Sequence, residues 1–183
     1  MSDIEHLRDL INPKAILHKQ DDYSNSFNIV LEESHECNSK IKILGVPENS
    51  IVFRLDELFS EPLIFQGNHG ERKRADFIII SYNQGQKYIV IIEMKVANSS
   101  YAHEIKNQLR GGISFLFYCQ AVLRYFWNYS GFNPDDYEIH YVACKTGIKK
   151  IHKKGNSFPN TTVESFLQIW GQSNVHFNHL LGR

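Results

Sequence analysis

The sequence predicts a single α/β domain built on a mixed central β-sheet flanked by helices, and three stretches carry that prediction. Two β-rich runs, Phe77–Tyr82 and Lys87–Lys95, surround the polar turn Asn83–Gln86 and read as a hairpin. Residues 101–127 form the longest helical stretch, with an apolar stripe through Ile105, Leu109, Gly112, Leu116, Cys119, Leu123 and Phe126. Tyr137–Cys144 then reads as a further strand, which after so long a helix joins the sheet most simply by a crossover. The chain has 183 residues, 42% of them hydrophobic and 13% aromatic, enough for one proper core and incompatible with a disordered chain.

Taken in order, Ser2 or Asp3 caps a first helix that buries Leu7, Leu10 and Ile11 and is stopped by Asn12-Pro13. A short second helix is expected over Pro13–His18. The apolar run Phe27–Leu31, set among acidic and polar residues, reads as an edge strand. Ile41–Gly45 and Ser50–Leu55 flank the turn residues Val46–Asn49 and read as another hairpin. Asp56–Phe59 reads as one helical turn and Leu63–Phe65 as a short strand. In the long helix, Gly111-Gly112 costs about 1 kcal/mol per glycine relative to alanine, which a close approach of helix to sheet explains. Ser165–Trp170 is expected to be the last strand, with nothing to be read from the tail.

If the central turn is centred on Gln84-Gly85, Tyr82 pairs with Lys87, Ile80 with Ile89, and Asp76 with Glu93. Directly opposed side chains have Cβ atoms roughly 4.5 to 5.5 Å apart, and like charges so placed destabilise a sheet. A positive group must stand between them. Strand alternation puts Lys95 on the face of Glu93, while Met94 points the other way. The flanking runs are apolar on both faces, which marks central strands. Hard carboxylate oxygens beside an ammonium suit a hydrolytic Mg²⁺ or Mn²⁺ site.

These residues resemble the PD-(D/E)xK nuclease superfamily, whose motif is an Asp on one strand and Glu-x-Lys on the next, followed by a helix: here Asp76 and Glu93-Met94-Lys95. Gly70, Arg74 and Asp76 are more loosely similar to the Gly-x-x-x-Arg-x-Asp entry of its RecB-like branch, with Ala75 at the motif's proline. The resemblance implies a restriction-endonuclease-like core over residues 63–146, with residues 1–62 as an N-terminal extension, all within one domain spanning 1–183. It implies a metal-dependent nuclease in which Asp76, Glu93 and the Met94 carbonyl bind the ion, Lys95 is catalytic, and Gln108 points into the site from the helix. It places DNA ahead of RNA as substrate, and cutting two strands makes a homodimer an expected assembly. The upstream acid that many members carry has Glu5, Glu57 and Glu71 as candidates here. Its absence would leave a catalytically inactive module of the same fold, for binding or regulation.

Composition narrows the field. Lys plus Arg and Asp plus Glu both number 20, so there is no global field to hold a polyanion, and nucleic-acid contact must be local. Lys145, Lys149, Lys150, Lys153 and Lys154 form the concentrated basic segment, readable as a solvated loop or as phosphate contacts. Cys37, Cys119 and Cys144 are odd in number and widely spaced, giving neither a disulfide framework nor a zinc site. His176 and His179 lack the companions of a His-Glu-x-x-His site, and neither a nucleophile elbow nor a phosphate-binding glycine loop is present. No run approaches a membrane span and the N-terminus has no signal-like segment, so a soluble, cytoplasmic protein is expected.

Overall fold

The computed structural model describes residues 1–24, 26–33, 39–55, 65, 67–96, 102–146 and 159–183. Along these the chain forms α1 (Asp3–Leu10), β1 (Gln20–Ser24), β2 (Ser26–Glu33), β3 (Ser39–Pro47), β4 (Ser50–Arg54), β5 (Phe77–Asn83), β6 (Gln86–Val96), α2 (Ala102–Trp127), β7 (Glu138–Thr146), β8 (Leu167–Trp170), β9 (Asn174–His176) and α3 (Phe177–Leu180). Short 3₁₀ turns occupy Pro13–Ala15, Pro134–Asp136 and Val163–Ser165.

The strands make two mixed sheets, one ordered β4-β5-β6-β7-β8 and the other β1-β2-β3-β9. In the five-stranded sheet, β4, β5 and β6 are antiparallel neighbours, while β6-β7 and β7-β8 are parallel. Alternation along β5 and β6 sorts their side chains into two cores. Ile78, Ile80, Ile89 and Ile91 pack with Leu7 of α1 and with Leu109 and Leu116 of α2. Phe77, Ile79, Val90, Ile92 and Met94 face Ile29, Leu31, Ile41 and Ile43 of the other sheet. Residues apolar on both faces therefore become the middle layer, as expected of strands buried from both sides. Among the described residues, α1 and α2 cover one of these faces. On the other, a second sheet with α3 at its end takes the place of the flanking helices that the sequence predicts.

Local signals account for the elements that position the site. Ser2 and Glu5 close a capping box at the start of α1: the Glu5 N–H donates to Ser2 Oγ, and the Ser2 N–H donates to Glu5 Oε2 at 2.6 Å. The β5-β6 turn is made by Gln84 and Gly85, both at positive φ (49° and 82°), the pattern that matches strand twist in a two-residue hairpin. From β6 the chain crosses through α2 to the parallel β7, as the sequence predicts.

Four expectations are corrected. The hairpin expected over residues 41–55 does not form, because β3 pairs with β2 and β9 while β4 pairs with β5. Each strand carries an apolar face, Ile41, Ile43 and Val46 on one and Val52 on the other, and the chain buries both by stacking them across the inter-sheet core. Phe27–Leu31 is not an edge strand, since β2 lies between β1 and β3. The short helix expected over 13–18 is a single 3₁₀ turn ending at Ala15. The tail is structured, with Val175, Phe177, Leu180 and Leu181 closing the inter-sheet core beyond β8. The five-stranded sheet also reaches outside 63–146, taking β4 from before that range and β8 from after it. Asp56–Phe59 and the start of the strand expected at Leu63 lie outside the described residues. Among the described residues, no helix is long and apolar enough to cross a membrane.

Candidate functional site

The register of the central hairpin is the one that brings the two acids together. Tyr82 pairs with Lys87, Ile80 with Ile89 and Phe77 with Ile92, so one step further sets Asp76 against Glu93. The Leu55 N–H donates to the Asp76 carbonyl at 2.9 Å, which carries the β4-β5 ladder through that step. Alternation from Ile78 and Ile80, and from Ile89 and Ile91, places Asp76, Glu93 and Lys95 on the α2 side of the sheet. Both acids are buried, Asp76 at 6% exposure and Glu93 at 0%.

Two like charges at such depth need compensation, because an isolated buried carboxylate is strongly disfavoured. Lys95 supplies it for Glu93, with Nζ at 2.6 Å from Oε1. For Asp76 the compensation comes from the backbone, since the Met94 N–H donates to Oδ2 at 2.6 Å. The N–H and C=O of one strand residue project from the same edge, as the paired exchange in antiparallel ladders requires, so the Met94 carbonyl opens toward the same side. The Met94 side chain points into the inter-sheet core.

Helix α2 is pressed against this end of the sheet through its glycines. A Cβ on Gly112 would stand 2.6 Å from Ile91 Cγ2 and 3.1 Å from Ala75 Cβ, and one on Gly111 would stand 1.9 Å from the Lys73 carbonyl oxygen. Gln108 lies one turn before Gly112, about 6 Å along the helix, which is about the rise of the two strand residues from Ile91 to Glu93. It is half-buried, on the same helical side as Gly112 and about level with the carboxylates, and its side chain makes no hydrogen bond with a described residue. Arg74 shapes the entry loop: its Nη1 donates to the carbonyls of Glu71 (3.0 Å) and Lys73 (2.6 Å), and burial lowers its pKa.

No candidate upstream acid is seen to join the pair. Glu5 is spent on the α1 capping box. Glu71 is held below the usual carboxylate range by its own backbone N–H first, and then by the N–H groups of His69 (2.8 Å) and Gly67 (3.1 Å) that donate to it. Glu57 lies outside the described residues. Among the described residues, no group of three or more His, Cys, Asp or Glu is placed to hold a metal. The donors at hand are two carboxylates and a backbone carbonyl, which fits Mg²⁺, an ion that commonly takes one or two carboxylates and completes its shell with water and substrate phosphate.

Comparisons of the chain with family models, with curated proteins and with solved structures returned no match. The chemistry therefore rests on the geometry of this chain alone.

One feature of this face escapes a sequence reading. In the parallel ladders Lys95 aligns with Lys145 and Lys145 with Trp170. Lys145 is the described member of the basic segment; Lys149, Lys150, Lys153 and Lys154 lie outside the described residues. Its neighbour Trp170 could be placed only by knowing that β8 adds beside β7. The buried thiols of Cys119 and Cys144 are chemically quiet, each with a pKa pushed up to about 12, mainly by burial.

Proposed function

We propose that this protein is a metal-dependent phosphodiesterase of the PD-(D/E)xK type, acting on nucleic acid and on DNA ahead of RNA. The observation that carries the reading is the buried pair of Asp76, one residue before β5, and Glu93 on the adjacent β6, with the Lys95 ammonium 2.6 Å from Glu93. A structural role alone gives little reason to bury two opposed carboxylates, because buried charge is costly even when it is paired. On this reading the β5-β6-α2-β7 unit is a restriction-endonuclease-like core, and the second sheet is this chain's addition to it.

Asp76, Glu93 and the Met94 carbonyl would hold Mg²⁺ or Mn²⁺. When bound, the ion polarises the scissile phosphate and lowers the pKa of the attacking water. Lys95 orients that water or balances the negative charge that grows on the phosphate. Gln108 positions Lys95 or the water from α2. The expected outcome is metal-dependent cleavage by wild type, lost in both Asp76→Asn and Lys95→Ala. Linear, circular and single-stranded DNA, and RNA, are incubated with each protein in Mg²⁺ or Mn²⁺, with circular dichroism confirming that the variants fold. Equal cleavage by all three proteins would sink the assignment and point to a contaminant.

The engagement of Glu5 and Glu71 elsewhere favours a second reading, a catalytically inactive module that keeps the fold for binding or regulation. A protein of that kind binds no divalent ion at millimolar concentration, which calorimetry measures.

A further inference from the structure

Beside the carboxylates, the ends of the parallel strands carry a second arrangement that metal chemistry does not use. Across β6, β7 and β8 the paired residues are Glu93, Ala143 and Gln168, and then Lys95, Lys145 and Trp170. Ile169 points into the inter-sheet core and Leu167 packs against it, so Gln168 and Trp170 face the opposite way, toward α2. On β7, Tyr141 and Ala143 lie in the α2-side core, which puts Lys145 on that side too. Trp170 therefore shares a face with Glu93 and lies two strands across from it, about 10 Å at the usual spacing, and two residues further along.

The charges nearby are unevenly committed. Lys106 and Arg110 on α2 are both paired with Glu164, and Lys95 with Glu93. Lys145 has no ion-pair partner among the described residues. Its Nζ lies 5.0 Å from the centroid of the Trp170 ring, a cation over an indole that is only half-buried. An aromatic platform on β8 joined to a cation on β7, two strands and one strand beyond the strand that carries Glu93 and Lys95, is complementary to a base followed by its phosphate.

We infer that Trp170 and Lys145 form a stacking subsite for an unpaired nucleotide next to the scissile phosphate, which makes the substrate single-stranded nucleic acid or a single-stranded end. A base inside a duplex has both faces covered by its neighbours and cannot lie on an indole without being unstacked, whereas single strands offer every base face to such a platform. Lys145 then meets the backbone phosphate of the stacked nucleotide. Only the placing of the scissile phosphate rests on the nuclease reading; the stacking subsite stands on its own geometry.

The test measures binding without cleavage, in EDTA, using a labelled oligo(dT) and a hairpin duplex of equal length at low salt. The chain has two tryptophans, so Trp127→Phe leaves Trp170 as the reporter. The expected results are quenching of Trp170 emission by oligo(dT), weaker binding of the duplex, and a loss of about tenfold or more in oligo(dT) affinity for Trp170→Ala that Trp170→Phe largely restores. Absence of quenching, duplex binding as tight as oligo(dT), or unchanged affinity in Trp170→Ala would overturn the inference. Cleavage in Mg²⁺ is scored separately. Stacking without cleavage refutes the nuclease reading alone, and cleavage without stacking refutes the subsite alone.

Discussion

At the scale of single residues, the molecule places its buried charges where each has a named partner. Glu93 has Lys95, and Asp76 has the Met94 N–H. The same economy operates at the other end of the sheet, where Asp3 of α1 accepts hydrogen bonds from Lys87 Nζ (2.9 Å) and from the hydroxyls of Tyr129 and Tyr137 (2.5 and 2.8 Å). Burial alone would raise the Asp3 pKa, but those three donors together outweigh it and hold it below the usual value. The two tyrosines respond in the opposite direction: Tyr129 is pushed up to about 12 and Tyr137 is also raised, in both cases by burial first and then by Asp3. A carboxylate with a depressed folded-state pKa adds stability above its unfolded pKa, and that stability disappears as pH falls through the folded value. Asp3→Asn is therefore expected to melt at a lower temperature than wild type at pH 7, with the gap narrowing as pH drops from about 4. Glu5, Glu71 and Glu164 are shifted the same way, so the difference between the two proteins is the quantity to follow. A gap that persists unchanged into acid would mean that Asp3 acts by packing and not by charge.

At the scale of elements, α2 depends on residues that are poor helix formers. In an open helix interior, replacing glycine by alanine gains about 1 kcal/mol. At Gly111 the new Cβ would meet the Lys73 carbonyl at 1.9 Å, and at Gly112 it would meet Ile91 Cγ2 at 2.6 Å. The sign should reverse at both positions, with Gly111→Ala the more damaging because its obstacle is backbone that a rotamer change cannot move. Urea denaturation checks this, and a stabilised Gly111→Ala would contradict the packing described. Gly111-Gly112 was legible as a close approach because two adjacent glycines in a helical stretch need a reason. The central hairpin was legible too, since Gln84-Gly85 fixes the turn and period-two runs fix the register. The pairing of β3 with β4 was misread for a physical reason: each strand alternates correctly, but alternation says which face is buried and not whether the partner lies beside the strand or beneath it. The tail was illegible because Val175, Phe177, Leu180 and Leu181 belong to pieces too short to show a period.

At the scale of the whole molecule, the five-stranded sheet is a middle layer between helices and a second sheet, and the candidate site sits at the end of β6 where the chain leaves for α2. In α/β sheets, ligands gather beyond the carboxyl ends of parallel strands, and here the β6-β7-β8 ends carry Lys95, Lys145 and Trp170. The acids were legible because hairpin partners are neighbours in sequence. Trp170 was not, because it reaches the site only through a strand order that local pattern does not encode. The central claim is that Asp76 and Glu93 are a divalent-ion site, and titration of Mg²⁺ and Mn²⁺ followed by calorimetry tests it most directly. Binding by wild type, largely intact binding by Lys95→Ala, and marked weakening in Asp76→Asn, which keeps the shape and removes a charge, are the expected results. No binding by the wild type at millimolar concentration, or equal binding by Asp76→Asn, would contradict it.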